Sequence, residues 1–275
     1  MEDGQGRLLH TYTWAPLGEV VGLVFLCHGY GELTTPYYTA LAEEAAARGL
    51  LAFAHDHVGH GRSGGERVQA AAMEEYTAPV LAHCRAVAAA HPALPLYIMG
   101  HSMGGTIALL AVLTKEVTFA GMVLVGPLIQ LDPKVAGRAM KLMARVASRV
   151  APGLQLVRVD TRLVTRDLAW RDTIDSNPLH YHGGAKARQG HVLMKALERL
   201  TKQFGAVTLP YLILHGSEDR VCRPEGSRAL HAASSSKDSA LEVVEGAAHS
   251  LYLEPEPVGS RARGATLDWI LARII

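Results

Sequence analysis

The chain has 275 residues, 49% of them hydrophobic and 19% charged, with a formal net charge of +1. That composition suits one large α/β domain with a substantial core and argues against disorder, and the near-zero charge balance gives no global reason to expect a nucleic acid partner. Three widely spaced cysteines, Cys27, Cys84 and Cys222, form neither a disulfide framework nor a zinc-ligand pattern. Residues 7–14 alternate weakly, and residues 19–27 are a near-continuous β-branched and apolar run of the kind buried on both faces of a parallel sheet. His28-Gly29-Tyr30-Gly31 then breaks the run. A helix is predicted over 37–48, stopped by Gly49, followed by a strand over 50–55, a glycine-rich loop through Gly65 and a helix over 70–91. Residues 95–99 read as a short buried strand and residues 105–113 as a buried helix, with Gly100-His101-Ser102-Met103-Gly104 between them. A strand at 119–125 follows, and the alternation resumes with strands at 210–215 and 241–245 and a terminal helix at 257–275.

This βαβα order predicts a mostly parallel sheet with helices on both faces and a ligand crevice at the carboxyl ends of the strands. No internal repeat or low-complexity tract interrupts it. The first residues lack the basic and apolar regions of a signal peptide, and no run reaches the roughly 18 apolar residues of a membrane span, so a cytoplasmic protein with at most peripheral membrane contact is expected.

Residues 130–205 depart from the alternation. No convincing strand is visible there, and 14 Lys/Arg against 6 Asp/Glu give a surplus of +8, leaving −7 to the rest of a chain whose total is +1. The segment is expected to be an inserted cap, with core residues 1–129 and 206–275 around it. Within it Lys134, Arg138, Lys141, Arg145 and Arg149 fall on one helical stripe about 80° wide, and Val135, Ala139, Leu142, Met143, Val146 and Val150 fall opposite. Two readings stay open for this helix. It packs its apolar face inward and solvates its charges, or it rests on an anionic membrane surface and delivers lipid.

A G-x-S-x-G pentapeptide between a strand and a helix is the pattern of a nucleophile elbow, and the strained turn leaves no room for side chains at the flanking glycines. A serine hydroxyl is a poor nucleophile at neutral pH, so Ser102 needs an imidazole to take its proton and a carboxylate to hold that imidazole. In chain order the acid is expected after one late strand and the histidine after the next, which selects Asp219, with Glu218 as rival, and His249. The backbone N–H groups of Tyr30 and Met103 are candidates for an oxyanion hole, each contributing about 3 kcal/mol in the transition state. His55, His57 and His60 sit in a glycine-rich turn without a second ligand group at metal-site spacing, and His101 is expected to orient loops. Cys222 is expected near the site in a structural rather than a catalytic role, with sensitivity to alkylation a secondary expectation for a thiol placed there. Trp170, Leu163, Leu168, Leu179, Met140 and Met143 are apolar residues available to line an acyl channel.

The segment 53–61 (FAHDHVGHG) with Ser63 and Gly65-Glu66-Arg67, the elbow, residues 119–124, and Gly216-Ser217 with Asp219-Arg220 and Cys222 together resemble the monoacylglycerol lipase family over nearly the whole chain. These are serine hydrolases of the α/β-hydrolase fold that cleave monoglycerides to fatty acid and glycerol. The resemblance places a triad on Ser102, Asp219 and His249, oxyanion donors on Tyr30 and Met103, and a substrate-binding role on Glu32. It implies a lipid partner, peripheral membrane contact through the cap, and no metal or organic cofactor. Departures gather where a glycerol head would sit. Tyr30 stands where the family has alanine, Leu33 and Pro36 replace a histidine and an arginine, Ile174 replaces a cap tyrosine and Tyr252 a second histidine. Tyr181 and Arg188 occupy the places of two cap cysteines. Ester chemistry is therefore better founded than glycerol preference. The alternatives are a broader carboxylesterase or lysophospholipase, and a non-catalytic lipid-binding protein on the same scaffold.

Overall fold

In chain order the strands are β1 (Thr11–Trp14), β2 (Gly22–Cys27), β3 (Leu50–His55), β4 (Leu96–His101), β5 (Gly121–Val125), β6 (Gln155–Val157), β7 (Ala185–Lys186), β8 (Tyr211–Gly216) and β9 (Ser239–Val244). The computed structural model describes residues 1–130, 137–158 and 160–274. Seven strands form one sheet in the order β1-β3-β2-β4-β5-β8-β9, all neighbours parallel except the antiparallel edge pair β1 and β3.

The reason is visible in the residues. Every position of β2, β3, β4, β5 and β8 is buried, so both faces need a helical cover. The helices are α1 (Thr34–Tyr37), α2 (Thr39–Ala47), α3 (Glu74–Ala90), α4 (Met103–Thr114), α5 (Arg138–Val150), α6 (Leu168–Ser176), α7 (Ala187–Thr201), α8 (Pro224–Ala233) and α9 (Val258–Leu271). Leu23, Phe25, Ile98, Met122 and Ile213 point to one face and pack with residues of α3, α4 and α7. Val24, Leu26, Met99, Val123 and Leu212 point to the other and pack with α2 and α9.

In places the elements differ from the sequence expectation. The helix expected at 37–48 is found as α2, two residues later at its start, and is preceded by the short α1, inside which Thr35 before Pro36 is extended (φ −109, ψ 137), as a residue preceding proline prefers. The helix expected from residue 70 begins at Glu74, and ahead of it the Ala70 N–H donates to Gln189 Oε1 of α7 at 3.1 Å. Between β5 and β8, where no strand was expected, β6 and β7 form a small antiparallel ribbon. Strands of three and two residues are too short to print an alternating pattern.

The parallel register brings the carboxyl ends together. Cys27 of β2 lies opposite Gly100 of β4, and His101 opposite Val125 of β5. The loops that leave β2, β4, β8 and β9 therefore open on one crevice.

Candidate active site

Ser102 leaves β4 with φ 53 and ψ −121, a left-handed conformation that a non-glycine residue holds only when its surroundings fix it. Its N–H donates to Val125 O at 3.2 Å and its carbonyl accepts from Gly105 at 2.9 Å and Leu128 at 3.0 Å. The flanking glycines are required by close backbone approach. A Cβ on Gly100 would lie 2.3 Å from Gly104 O, and one on Gly104 would lie 2.1 Å from Cys27 O. The collisions are between α4 and the ends of β4 and β2.

Asp219 follows β8 and His249 follows β9, and His249 Nδ1 donates to Asp219 Oδ2 at 2.7 Å. The other oxygen of Asp219 accepts the N–H groups of Val221 and Cys222, both at 2.8 Å. Glu218, the rival acid, is 58% exposed and pairs with Arg220. Burial alone pushes Asp219 up, but His249 and His215 hold it well below the usual carboxylate range. Burial alone pushes His249 down, and the neighbouring Asp219 charge outweighs it, so the imidazole is a stronger base than usual.

One neighbour, His215, was not singled out from sequence, whereas Cys222 lies near the site as expected. His215 Nε2 donates to Cys222 O at 2.7 Å and lies 3.1 Å from Asp219 Oδ2, so it braces the loop that carries the acid. Its spacing of four residues before Asp219, at the end of a strand, was the available signal. Cys222 Sγ lies 3.7 Å from Ser102 Oγ. Among the described residues this is the partner of the serine hydroxyl, and no hydrogen bond joins Ser102 to His249 in this conformation. Apo structures often leave that bond long. Burial and Asp219 push the Cys222 thiol well above its usual range, which disfavours the thiolate that alkylation needs and weighs against the expected sensitivity.

Among the described residues the N–H groups of Tyr30 and Met103 have no acceptor in the protein. Met103 opens α4, where the helix dipole adds to its pull on negative charge. The Tyr30 peptide is held from behind. Buried His28 donates from Nδ1 to Gly29 O at 2.9 Å while its Nε2 accepts from the His57 N–H at 2.9 Å. Because Gly29 C=O and Tyr30 N–H belong to one trans peptide, they point in opposite directions, and His28 fixes both. Gly31 O accepts from Tyr181 N at 2.8 Å and the Tyr30 hydroxyl from Lys186 N at 3.4 Å, which ties this loop to the segment between β5 and β8.

His55, His57 and His60 are buried and neutral, their pKa values pushed down first by burial. His55 faces His83 Nδ1 at 3.2 Å, and His60 Nδ1 donates to Val58 O at 2.9 Å. Among the described residues no cluster suits a metal ion.

A cavity of about 260 Å³ opens onto Ser102 and His249. Its wall is mostly apolar, with Leu33, Pro36, Val164, Trp170, Ile174 and Leu253 among the lining residues. Tyr30, Glu32 and Tyr181 also border it, whereas Tyr252 does not, its hydroxyl bonded to Thr266 Oγ1 at 2.7 Å. Of the apolar candidates for an acyl channel only Trp170 lines the cavity. Leu163, Leu168 and Met143 are exposed, Leu179 lies off the lining, and the Met140 side chain falls outside the described residues.

Helix α5 turns its small residues Ala144 and Ser148 inward and leaves Leu142, Met143, Val146 and Val150 exposed beside Arg145 and Arg149. The inward apolar face expected under the first reading of this helix is therefore overturned. Lys141 pairs with Glu198 at 2.6 Å. Lys134 and Val135, and the side chains of Arg138 and Ala139, lie outside the described residues. No helix among the described residues is long and apolar enough to cross a membrane.

Residues 18–256 match the family described as serine aminopeptidase, S33, a group of hydrolases. The chain is 35% identical over 272 residues to the monoglyceride lipase of Rattus norvegicus, covering 99% of this chain and 89% of the relative. It belongs to the monoglyceride lipase family of serine hydrolases. The monoacylglycerol lipase of Mycolicibacterium smegmatis is 33% identical over 88% of this chain and 86% of its own. Among solved structures, the Paleococcus ferrophilus monoacylglycerol lipase superposes with a TM-score of 0.84 at 26% identity, covering 97% of this chain and 99% of that one. The monoglyceride lipase family has the α/β-hydrolase fold, and the mostly parallel sheet described above is that fold.

Proposed function

We propose that this chain hydrolyses the ester bond of monoacylglycerols, releasing fatty acid and glycerol through an acyl-enzyme on Ser102. The observation that carries the reading is the apolar cavity ending on Ser102 beside a His249–Asp219 pair, in a chain of this family. A turn of the Ser102 side chain away from Cys222 brings Oγ to His249 Nε2. His249 takes the proton as Oγ attacks the acyl carbonyl, and the Tyr30 and Met103 N–H groups donate to the oxyanion. Collapse of the intermediate expels glycerol, protonated by His249. A water deprotonated by His249 then attacks the acyl-enzyme, and the fatty acid leaves with Ser102 restored. Asp219 holds the imidazole in the Nδ1–H tautomer and stabilises the imidazolium.

Residues 130–205 act in this reading as a cap inserted between the parallel neighbours β5 and β8, and Trp170, Ile174 and Tyr181 support it by walling the cavity over Ser102. The exposed apolar residues of α5, flanked by Arg145 and Arg149, fit the surface of an anionic bilayer, and peripheral binding there feeds single-chain lipid into the cavity. A second reading, a broader esterase or lysophospholipase, is favoured by the apolar Leu33, Pro36 and Ile174 in the cavity wall. Fatty acid release from 2-oleoylglycerol and from 2-oleoyl lysophosphatidylcholine, with Ser102→Ala as blank, separates the two. A strong monoglyceride preference supports the first, comparable rates support the second, and no Ser102-dependent release from either removes both.

A further inference from the structure

Beside the Asp219–His249 pair runs a second acid–imidazole–hydroxyl chain, made from the sequence neighbours of the nucleophile and the base. His101 immediately precedes Ser102, and Ser250 immediately follows His249. His101 Nδ1 lies 3.0 Å from Glu32 Oε1 and 3.1 Å from Oε2, and its Nε2 lies 3.3 Å from Ser250 Oγ. Because Nδ1 carries the proton given to the carboxylate, Nε2 of the neutral ring accepts from the Ser250 hydroxyl. The ring stacks on Tyr37 at 4.5 Å and leans on the His249 ring at 4.6 Å. His101 and Ser250 are fully buried, so this chain is not a second nucleophilic site.

Its ends show what it holds. Glu32 Oε2 also accepts the Gly29 N–H at 2.6 Å, one peptide before the Tyr30 donor. His101 ends β4 directly ahead of Ser102 and the Met103 donor. Ser250 anchors the loop of His249, and its own N–H donates to Val164 O at 2.8 Å. Two of the loops that carry the proposed machinery thus meet on one carboxylate that is 13% exposed, and the loop of His249 joins them through Ser250 and His101.

We infer that Glu32, acting through His101 and Ser250, is a positioning residue that keeps the two oxyanion donors and His249 in register, and that this role outweighs the head-group contact implied for it by family resemblance. The inference rests on the serine hydrolase reading of Ser102. A carboxylate is needed because every group facing it is a donor. A Gln amide of the same shape would turn an NH₂ toward the Gly29 N–H or the His101 Nδ1–H.

The test is Glu32→Gln and Ser250→Ala assayed on 2-oleoylglycerol and on 4-nitrophenyl butyrate, which carries no glycerol. Glu32→Gln is expected to lower kcat on both esters by a similar factor, about 100-fold, the scale of a misplaced catalytic group, with KM nearly unchanged. Ser250→Ala is expected to lower kcat on both by a smaller common factor. Fluorophosphonate labelling of Ser102 should slow in parallel. A rise in KM confined to 2-oleoylglycerol, with 4-nitrophenyl butyrate hydrolysed normally, would overturn the inference in favour of a head-group contact. Unchanged kcat on both esters in both variants would also overturn it, and Ser250→Ala alone decides if Glu32→Gln does not fold. Failure of the unmodified protein to label at Ser102 would strike the underlying reading instead.

Discussion

Along β2, β3, β4, β5 and β8 every residue is buried, whereas along α5 Leu142 is 61% exposed, Met143 57%, Val146 50% and Val150 76%. The same residue types are spent in opposite ways. In the sheet they make a rigid platform whose strand ends aim Ser102, Asp219 and His249, since a packed interior resists small displacements. Between β5 and β8 they are kept at the surface. In the proposed function this becomes a division of labour, in which the platform sets the rate of the chemical step and the intervening segment governs how lipid arrives.

Variants of the two regions sharpen or break that division. The largest effect belongs to the platform: Ser102→Ala is expected to lower kcat by about 10⁶-fold on any ester, measured as fatty acid or nitrophenol release. Asp219→Asn should cost about 10⁴-fold, and it carries a pH signature. The base works only when neutral, and Asp219 raises His249 above its ordinary value of 6.5, so kcat/KM is expected to fall as pH drops through a value above 6.5. The charges nearest His249 are Asp219, after β8, and Glu32, before α1, with neutral His101 between; removing the Asp219 charge should move the acid limb to lower pH. A limb that stays in place or moves up would show that Asp219 is not the partner that matters.

Gly104→Ala should cost about 3 kcal/mol of stability or more, read by denaturant or thermal unfolding, because its Cβ meets Cys27 O at 2.1 Å and backbone cannot step aside. The smallest expected effect lies in the other region. Replacing Leu142 and Val146 by Glu should leave stability within about 0.5 kcal/mol and soluble-ester turnover unchanged, yet weaken binding to anionic vesicles and turnover of 2-oleoylglycerol held in them about tenfold. Equal loss on the soluble ester would erase the division between platform and segment.

The same contrast explains what the amino-acid sequence disclosed. The strand over 50–55 is found as expected, because a strand buried on both faces prints a continuous apolar run bounded by breakers. The elbow is legible because its glycines answer a local backbone constraint. Asp219 and His249 were reachable because each follows a strand in a fixed order, although their 2.7 Å contact spans 30 residues. His101 was expected to orient loops and it bridges two of them, but His215 and the joining of Glu32 to Ser250 through His101 were not legible, since their meaning lies in contacts up to 149 residues apart that no spacing encodes. In α5 the periodicity was readable but its orientation was not. A basic stripe and an apolar stripe look alike whether the apolar side meets a core or a surface, and only the seam of Ala144 and Ser148 decides which side is inward.

The most direct test of the central claim, that the platform aims Ser102 as the nucleophile, is intact-protein mass spectrometry after exposure to a fluorophosphonate, with peptide mapping of the adduct. The expected result is a single addition on the peptide containing Ser102, absent in Ser102→Ala and slowed in Asp219→Asn. No adduct on the folded protein, or an adduct on another serine that persists in Ser102→Ala, would contradict it.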